Sequence, residues 1–145
     1  MVTALRLDNI GIVVDDLDSA IAYFTDLGLE RVGEATVEGD VVDRLLQLEG
    51  VRSRIAMLRT PDGHSQLELS QYVTPPAEPT SPPPHNTLGL HRIALVVDDV
   101  DAAVAVVRDH RFGLVGEVVQ YEDSYRMCYA RGPAGIIVML VQELG

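Results

Sequence analysis

The chain has little of several things that would mark a secreted or membrane protein. It contains one cysteine, Cys128, so it cannot form an internal disulfide, and this favours a reducing cytoplasm. No apolar run reaches the roughly 18 residues that a membrane span requires. Residues 1–6 lack the basic and apolar regions of a secretion signal. We therefore expect a cytoplasmic protein that does not bind membranes.

Positive charge is also scarce, because 11 Lys and Arg residues stand against 22 Asp and Glu residues. The net charge of −11 would repel phosphate backbones, which argues against nucleic acid as a partner. An acidic surface can attract cationic ligands or simply keep the protein soluble, and the sequence leaves both interpretations open. With 145 residues, the chain is long enough for one domain with a real core.

The chain contains one stretch twice. Residues 90–99 align without a gap on residues 7–16 after a shift of 83 positions, and the match continues with residues 115–117 on residues 32–34. A repeat of this length is too long for a solenoid, whose units run about 20 to 50 residues. The sequence therefore predicts a duplicated half-domain with an internal pseudo-twofold.

Each copy begins with an alternating apolar stretch that predicts a strand, over 5–14 and over 91–97. An aspartate pair then predicts a helix N-cap, which is Asp15 or Asp16 in the first copy and Asp98 or Asp99 in the second. The predicted buried helix faces comprise Leu17, Ala20, Ile21, Phe24 and Leu27, and then Val100, Ala103, Val104 and Val107. Further strands are predicted near 30–37, 41–49, 53–59, 66–72, 114–121, 124–131 and 136–142.

Proline is concentrated in the middle of the chain, where residues 73–84 hold six of the eight prolines. Because proline cannot donate into a β-ladder and stiffens the chain, residues 73–88 predict an extended linker. The linker joins module one, about 5–72, to module two, about 89–143, within a single domain over 1–145. A proline-rich partner motif is the alternative interpretation.

The duplicated strand-helix-three-strand pattern resembles the vicinal oxygen chelate superfamily, which includes glyoxalase I, methylmalonyl-CoA epimerase, extradiol dioxygenases and bleomycin-resistance proteins. The most specific matching motifs lie at residues 9–17, 66–69, 92–100 and 133–140. The resemblance implies an α+β fold in which two tandem βαβββ modules form a curled eight-stranded mixed sheet around a cleft, with the helices outside. It also implies a homodimer, which members of this superfamily commonly form.

Metal-dependent members carry ligands at four points of this pattern, usually two histidines and two acidic residues. The resemblance places Asn9, Glu68, Arg92 and Met139 at these points. Only Glu68 suits a divalent cation well, because Arg92 is a permanent cation and Met139 is a soft thioether. The resemblance therefore implies no metal and no other cofactor. A slip of one residue would bring His91 into the place of Arg92, but a buried face fixes the strand register against it.

Strand alternation predicts which side chains enter the cleft that the resemblance implies. Gly11 and Ala94 are small and would leave room for a ligand. Tyr125 and Tyr129 could stack on a flat ligand, or they are ordinary strand residues. The predicted ligand-binding residues are Asn9, Gly11, Gln66, Glu68, Ser70, Arg92, Ala94, Tyr125, Tyr129, Ile137 and Met139. The other three histidines, His64, His85 and His110, are predicted to be exposed polar residues.

Two functions from different classes fit these features. The replaced ligand positions and the acidic charge fit a metal-free binding protein that resembles the bleomycin-resistance proteins and sequesters an organic ligand or antibiotic. The alternative is a lyase or isomerase related to glyoxalase and the epimerase, with Glu68 as general base and Arg92 stabilising a developing oxyanion. The replaced ligands favour the binding protein, with a small organic molecule and a second copy of the chain as its partners.

Overall fold

The structure, a computed structural model, describes residues 1–145. The chain divides into two compact units, Met1–Pro79 and Thr80–Gly145, and the boundary falls within the proline-rich linker. Each unit contains a four-stranded mixed sheet. The fold is therefore α+β and is built from two strand-helix-three-strand units, as the repeat predicts.

The first unit has a sheet whose first and last strands are neighbours. Its elements are β1 (Ile10–Val13), α1 (Leu17–Asp26), β2 (Glu30–Glu38), α2 (Asp40–Leu46), β3 (Arg52–Arg59) and β4 (Gln66–Thr74). The strand order is β1-β4-β3-β2, with β1 parallel to β4 and the other pairs antiparallel. Helix α1 packs on β3 and β4. We call the sheet face that α1 covers the inner face. The opposite face, which strand alternation predicted to line the cleft, is called the outer face.

Helix α1 begins and ends where the sequence predicts. Asp16 is its N-cap, and the hydrogen bond that its carboxylate accepts from the Ser19 N–H, at 3.1 Å, lowers the pKa of Asp16. The helix ends before Gly28, whose φ of 110° suits glycine. Tyr23, which the helical spacing did not single out, is fully buried with its ring edge-on to Phe24. The predicted residues that are buried are Leu17, Ala20, Ile21 and Phe24.

The prediction of a strand over 41–49 is wrong, because these residues form most of α2 and the turn that follows it. Two apolar pairs are each spaced by four residues, Val41 with Leu45 and Val42 with Leu46, which is a helical interval. Adjacent valines favour a strand only when a neighbouring strand packs against them. Here no side chain of α2 is buried, so the helix lies on the surface of the unit.

The second unit repeats the arrangement without a counterpart of α2. Its elements are β5 (Ile93–Val96), α3 (Val100–Asp109), β6 (Val119–Tyr121), β7 (Tyr125–Arg131), a 3₁₀ turn (Pro133–Gly135) and β8 (Ile137–Glu143). The strand order is β5-β8-β7-β6, with β5 parallel to β8. Helix α3 packs on β7 and β8, and the terms inner and outer face apply as in the first unit.

Helix α3 confirms its prediction in full. Asp99 is the N-cap, and its carboxylate accepts hydrogen bonds from the N–H groups of Asp101 and Ala102, at 3.0 and 3.1 Å. The predicted apolar face is the buried one, namely Val100, Ala103, Val104 and Val107. None of the helices in either unit has the length and apolarity needed to cross a bilayer.

Three strands are shorter than predicted. Strand β1 covers Ile10–Val13 instead of 5–14, because its ladder with β4 begins at the pair Ile10 and Leu67. A strand persists only where a neighbour supplies hydrogen bonds. The same limit shortens β5, and β6 is reduced to three residues of the predicted 114–121.

Candidate functional site

The outer face of the first sheet carries a row of three side-chain positions. Strand register places Gly11 beside Glu68, and Met57 lies on the other side of Glu68. Leu67 and Leu69 flank Glu68 in sequence and are buried on the inner face, so alternation directs Glu68 outward. The row therefore has a carboxylate at its centre and no side chain at one end.

Hydrogen bonds hold two of the predicted polar residues of this unit. The Asn9 amide donates to the Asp8 carboxylate at 2.9 Å, and the Gln66 amide donates to the Asp8 carbonyl at 3.4 Å. Glu68 is half-buried and takes part in no hydrogen bond or ion pair. The Ser70 side chain, two pairs further along the ladder beside Val13, is also half-buried. Glu68 is thus the one free anionic group among the predicted residues.

The outer face of the second sheet has the corresponding row with different chemistry. Met139 lies at its centre, between Ala94 on β5 and Tyr129 on β7. Ala94 thus corresponds to Gly11 and Met139 to Glu68, so a thioether replaces the carboxylate. The duplication has kept the geometry of the row and changed its charge.

Arg92 and Tyr129 are in direct contact. The Arg92 guanidinium donates a hydrogen bond from Nη1 to the Tyr129 hydroxyl oxygen. Its central carbon, Cζ, also lies 5.5 Å from the centroid of the Tyr129 ring, within the range of a cation–π interaction. The structure therefore brings together two residues that the sequence analysis predicted as ligand-binding on separate grounds.

Two histidines join this contact. Sequence reasoning took His85 for an exposed residue and weighed His91 only as a replacement for Arg92 after a register slip. His85 was predicted to be exposed, but it is half-buried, with its Nδ1 2.9 Å from Nε2 of His91. The His85 ring stands edge-on to the Tyr129 ring, with 4.5 Å between centroids, and the His91 ring lies 5.9 Å away. We call Arg92, Tyr129, His85 and His91 the Tyr129 cluster. No periodic pattern relates a linker residue to a strand, so the sequence held no signal for this arrangement.

The remaining predicted residues and histidines lie outside the Tyr129 cluster. Ile137 is only 2% exposed, so in this structure its side chain belongs to the packed interior of the unit. Tyr125 is 41% exposed and lies four residues before Tyr129 on the same face of β7. His64 is exposed, and His110 is half-buried at the end of α3. Neither has a place in the Tyr129 cluster.

Cys128 lies on the opposite face of β7 from Tyr129. Its side chain is 3% exposed, and burial, followed by the nearby Asp101 carboxylate, raises the pKa of the thiol. The thiol is therefore protonated at neutral pH and is a poor nucleophile. This separates Cys128 from any chemistry on the outer face.

A groove of about 590 Å³ lies against α3 in the second unit. None of the predicted site residues lines it. Its lining is Asp101, Val104, Ala105, Arg108, Asp109, Leu114, Gly116, Glu117 and Val118. The lining carries three carboxylates and one guanidinium, and the Asp101 carboxylate is already paired with Arg126 at 2.7 Å.

Comparison with known proteins identifies the family. Residues 8–129 match the Glyoxalase/Bleomycin resistance protein/Dioxygenase superfamily. The chain belongs to this superfamily, as the resemblance of its motifs predicted.

Individual relatives agree with this assignment. A glyoxalase family protein from Bacillus cereus has 47% identity and a TM-score of 0.93, with 99% of this chain and 97% of that chain covered. A glyoxalase/dioxygenase from Nostoc punctiforme shares the fold with a TM-score of 0.67 at 22% identity, over 99% and 97% of the two chains. A 2-epi-5-epi-valiolone epimerase from Actinomyces sp is 32% identical over 109 residues, which is 72% of this chain. The chain spans 58% of the length of that curated relative.

The residues at the metal-ligand positions implied by the resemblance do not fit a divalent cation. In the second unit, the guanidinium of Arg92 is a fixed positive charge, and one of its N–H groups is bonded to Tyr129. Met139 supplies a thioether where the superfamily pattern has a carboxylate, and thioethers prefer soft ions. In the first unit, Asn9 supplies a neutral amide that is held by Asp8. Only Glu68 has the charge and free oxygens of a ligand for a hard cation.

Proposed function

We propose that this protein binds a small organic ligand without a metal ion and sequesters it, in the manner of bleomycin-resistance proteins. The contact between Arg92 and Tyr129 carries the proposal. A guanidinium at a ligand position makes that position repel cations, and the hydrogen bond to Tyr129 turns it into a polar anchor for an organic molecule. A few convergent polar groups on an apolar background are typical of a ligand site.

Space on the outer face of the first sheet supports the proposal. A Cβ atom built on Gly11 would meet no heavy atom within 4 Å, so a volume beside Glu68 is open. Val13, the next residue of β1 on the same face, has an apolar side chain that is 47% exposed. An organic ligand that covers these positions would remove apolar surface from water, which is favourable.

The Gly11→Leu variant tests the proposal. The backbone φ of Gly11 is not positive and the space is open, so the folded protein should accept the side chain while a ligand should not. We expect a thermal-shift and calorimetric screen of small organic molecules to find a ligand for the wild-type protein. The affinity for a ligand that covers the outer face of the first sheet should fall at least about tenfold in Gly11→Leu, equivalent to about 1.4 kcal/mol. The affinity for a ligand anchored by the contact between Arg92 and Tyr129 in the second unit should fall in Arg92→Gln. Gly113→Leu, at another open glycine, is the matched control and should leave the affinity unchanged.

The metal content of the purified protein, measured by elemental analysis, can contradict the proposal. About one divalent ion per chain that is lost in Glu68→Gln would contradict metal-free binding. A screen in which no organic molecule of any charge binds would also reject the proposal.

A second function is favoured by a specific observation. The chain is 32% identical to a 2-epi-5-epi-valiolone epimerase over 109 residues, and the Glu68 carboxylate has no bonded partner. Such a carboxylate can accept a proton from carbon as a general base in an isomerase or lyase reaction. Incubation of that epimerase's named compound with the protein in D₂O tests this function. Deuterium incorporation that Glu68→Gln abolishes would favour the enzyme over the sequestering protein.

We also propose that a second copy of the chain is a partner. The repeat places two leucines before the first strand of each unit, Leu5 and Leu7 in one, Leu88 and Leu90 in the other, and all are exposed by 76% or more. Large apolar side chains that are exposed to this degree are often covered by a protein partner. The predictions that nucleic acid and membranes are not partners, and that the location is cytoplasmic, rest on the sequence and stay predictions.

Light scattering at micromolar concentration tests whether two copies of the chain associate. The wild-type protein should have twice the mass of the chain, and the double variant Leu88→Ser and Leu90→Ser should shift the mass towards that of a monomer. Val41→Ser with Leu45→Ser, at exposed apolar positions on α2, is the matched control and should not change the mass. A wild-type monomer would contradict the proposal.

A further inference from the structure

The Tyr129 cluster is a concentration of basic groups in an acidic chain. Arg92, His85 and His91 all contact Tyr129 or one another, while the chain has a net charge of −11. Elsewhere in the same unit Arg126 is paired with Asp101 at 2.7 Å. No carboxylate is bonded to any member of the Tyr129 cluster. The positive charge of Arg92 is therefore left without a counter-ion.

We propose that Arg92 and Tyr129 bind the carboxylate group of an organic ligand. This inference rests on the proposed ligand-binding function and names the class of ligand. It places the contact with the ligand on the outer face of the second sheet, at the end of the row formed by Ala94, Met139 and Tyr129.

The number of unused hydrogen-bond donors on Arg92 and Tyr129 is the first argument. The Tyr129 oxygen accepts from Arg92, so the single hydrogen of the hydroxyl must point to another acceptor. A guanidinium has five N–H donors, and only one of the Arg92 donors is used. Adjacent unused donors on the two side chains match the two oxygens of a carboxylate, and bonds to a charged acceptor are the strong ones.

The surroundings of Tyr129 give the second argument. The His85 ring is edge-on to the phenol ring at 4.5 Å between centroids, and His85 is itself held by His91. These contacts restrict the Tyr129 ring, and with it the position of the hydroxyl oxygen, before a ligand arrives. A donor that is already oriented loses less entropy on binding, which raises affinity.

The neighbouring side chains indicate what the carboxylate is attached to. Met139 lies beside Tyr129, and Ala94 lies beyond Met139, so the surface that continues from the anchor is apolar. Val96, the next outward residue of β5 after Ala94, is 66% exposed. A ligand with one carboxylate and a hydrocarbon or aromatic body would satisfy the anchor and cover this surface.

The charge of the Tyr129 cluster favours a carboxylate over a phosphate. Arg92 is the only permanently charged member. The hydrogen bond between Nδ1 of His85 and Nε2 of His91 requires one of these two nitrogens to be an unprotonated acceptor. The histidine pair therefore cannot carry two full charges while this bond exists. A monoanion matches such a site better than a dianion does.

Calorimetric titration of the full-length protein with four probes tests the inference. The probes are benzoate, phenylacetate, the neutral isostere benzamide, and phenyl phosphate. We expect the carboxylates to bind more tightly than benzamide and phenyl phosphate. Tyr129→Phe should weaken benzoate binding about tenfold, since hydrogen bonds to charged groups contribute at least this much. Arg92→Gln should remove the preference for benzoate over benzamide.

Tyr121→Phe is the matched control, because Tyr121 lies on β6 of the same sheet, is 57% exposed and has no place in the Tyr129 cluster. Its benzoate affinity should equal that of the wild-type protein, and circular dichroism should show that all variants are folded. Equal binding of benzoate and benzamide, tighter binding of phenyl phosphate, or no binding of any probe would overturn the inference. If neutral molecules still bind in a manner that Gly11→Leu blocks, the proposed function stands and only the carboxylate assignment fails.

Discussion

The side-chain oxygen of Gln71 on β4 accepts a hydrogen bond from the backbone N–H of Leu17, the first residue of α1, at 2.7 Å. The second unit repeats this relationship, with Gln142 on β8 accepting from the N–H of Val100 at 2.9 Å. The first N–H groups of a helix have no partner within the helix. Each glutamine therefore ties the start of a helix to the last strand of its sheet.

Replacement of either glutamine should destabilise the protein. Leu17 and Val100 are fully buried, so a methionine at position 71 or 142 leaves an N–H group without an acceptor and away from water. We expect Gln71→Met and Gln142→Met each to lower the free energy of unfolding by about 1–3 kcal/mol, measured by urea denaturation. Gln120→Met in the short strand β6 is the exposed control. Equal stability of all three variants would contradict a role for the two bonds.

Gly135 should not tolerate alanine. It has a φ of +75°, and an added Cβ would lie 3.0 Å from Cγ of Pro82, which belongs to a rigid ring. Gly63 has a similar φ of +77° with no atom within 4 Å, so Gly63→Ala measures the backbone strain alone. We expect Gly63→Ala to cost about 1–2 kcal/mol and Gly135→Ala about 1–3 kcal/mol more. Thermal unfolding of the two variants gives the difference, and equal losses would show that the Pro82 contact is unimportant.

Asp43 should stabilise the exit from α2. Its carboxylate accepts hydrogen bonds from the N–H groups of Gly50 at 3.0 Å and Val51 at 2.8 Å. Charge-assisted bonds of this kind are stronger than neutral ones, and we expect Asp43→Ala to cost about 1–3 kcal/mol. Asp40→Ala, in the first turn of the same helix, is the control for loss of charge alone. Thermal unfolding compares the two variants. If they have the same melting temperature, the two hydrogen bonds of Asp43 do not stabilise the turn.

Cys128 should react slowly in the folded protein. Burial raises the pKa of its thiol, and only the thiolate attacks alkylating reagents. At pH 8 we expect N-ethylmaleimide to modify the native protein far more slowly than the protein unfolded in guanidinium. Because the folded pKa is the higher one, the native state retains a proton that the unfolded state loses above about pH 8.5. This group therefore destabilises the fold as pH rises through that value, and equal rates in both states would contradict the burial of the thiol.

The sequence predicted the two long helices well because a cap and an apolar face are local signals. Asp16 and Asp99 cap the helices as predicted, and each helix face needs only the spacing of residues within one element. The same logic failed at α2. Val41 and Val42 favour a strand by composition. The helix is instead set by the spacing of its apolar residues and by the hydrogen bonds that Asp43 accepts from two residues that follow the helix.

The candidate site was predictable only where strand alternation determines it. Alternation predicted that Glu68 and Arg92 enter the cleft. In the structure Glu68 lies on the sheet face opposite α1, whereas Arg92 immediately precedes β5. The contact of His85 with His91 and Tyr129 depends on the path of an irregular proline-rich segment. Such a path has no periodicity, so residue types and spacing did not reveal it.

The parallel pairing of the first and last strands in each unit determines when each sheet can form during synthesis. The ladder between β1 and β4 cannot form until Leu67 is available to pair with Ile10. The ladder between β5 and β8 likewise requires Val138 to pair with Ile93. Contacts this distant along the chain close slowly, because the intervening loop must lose entropy first. On the ribosome, the strand that completes the first sheet ends at Thr74, before any of β5 has been translated. The nascent chain can therefore assemble one half of the duplication while the other does not yet exist, which limits mispairing between two similar strand sequences.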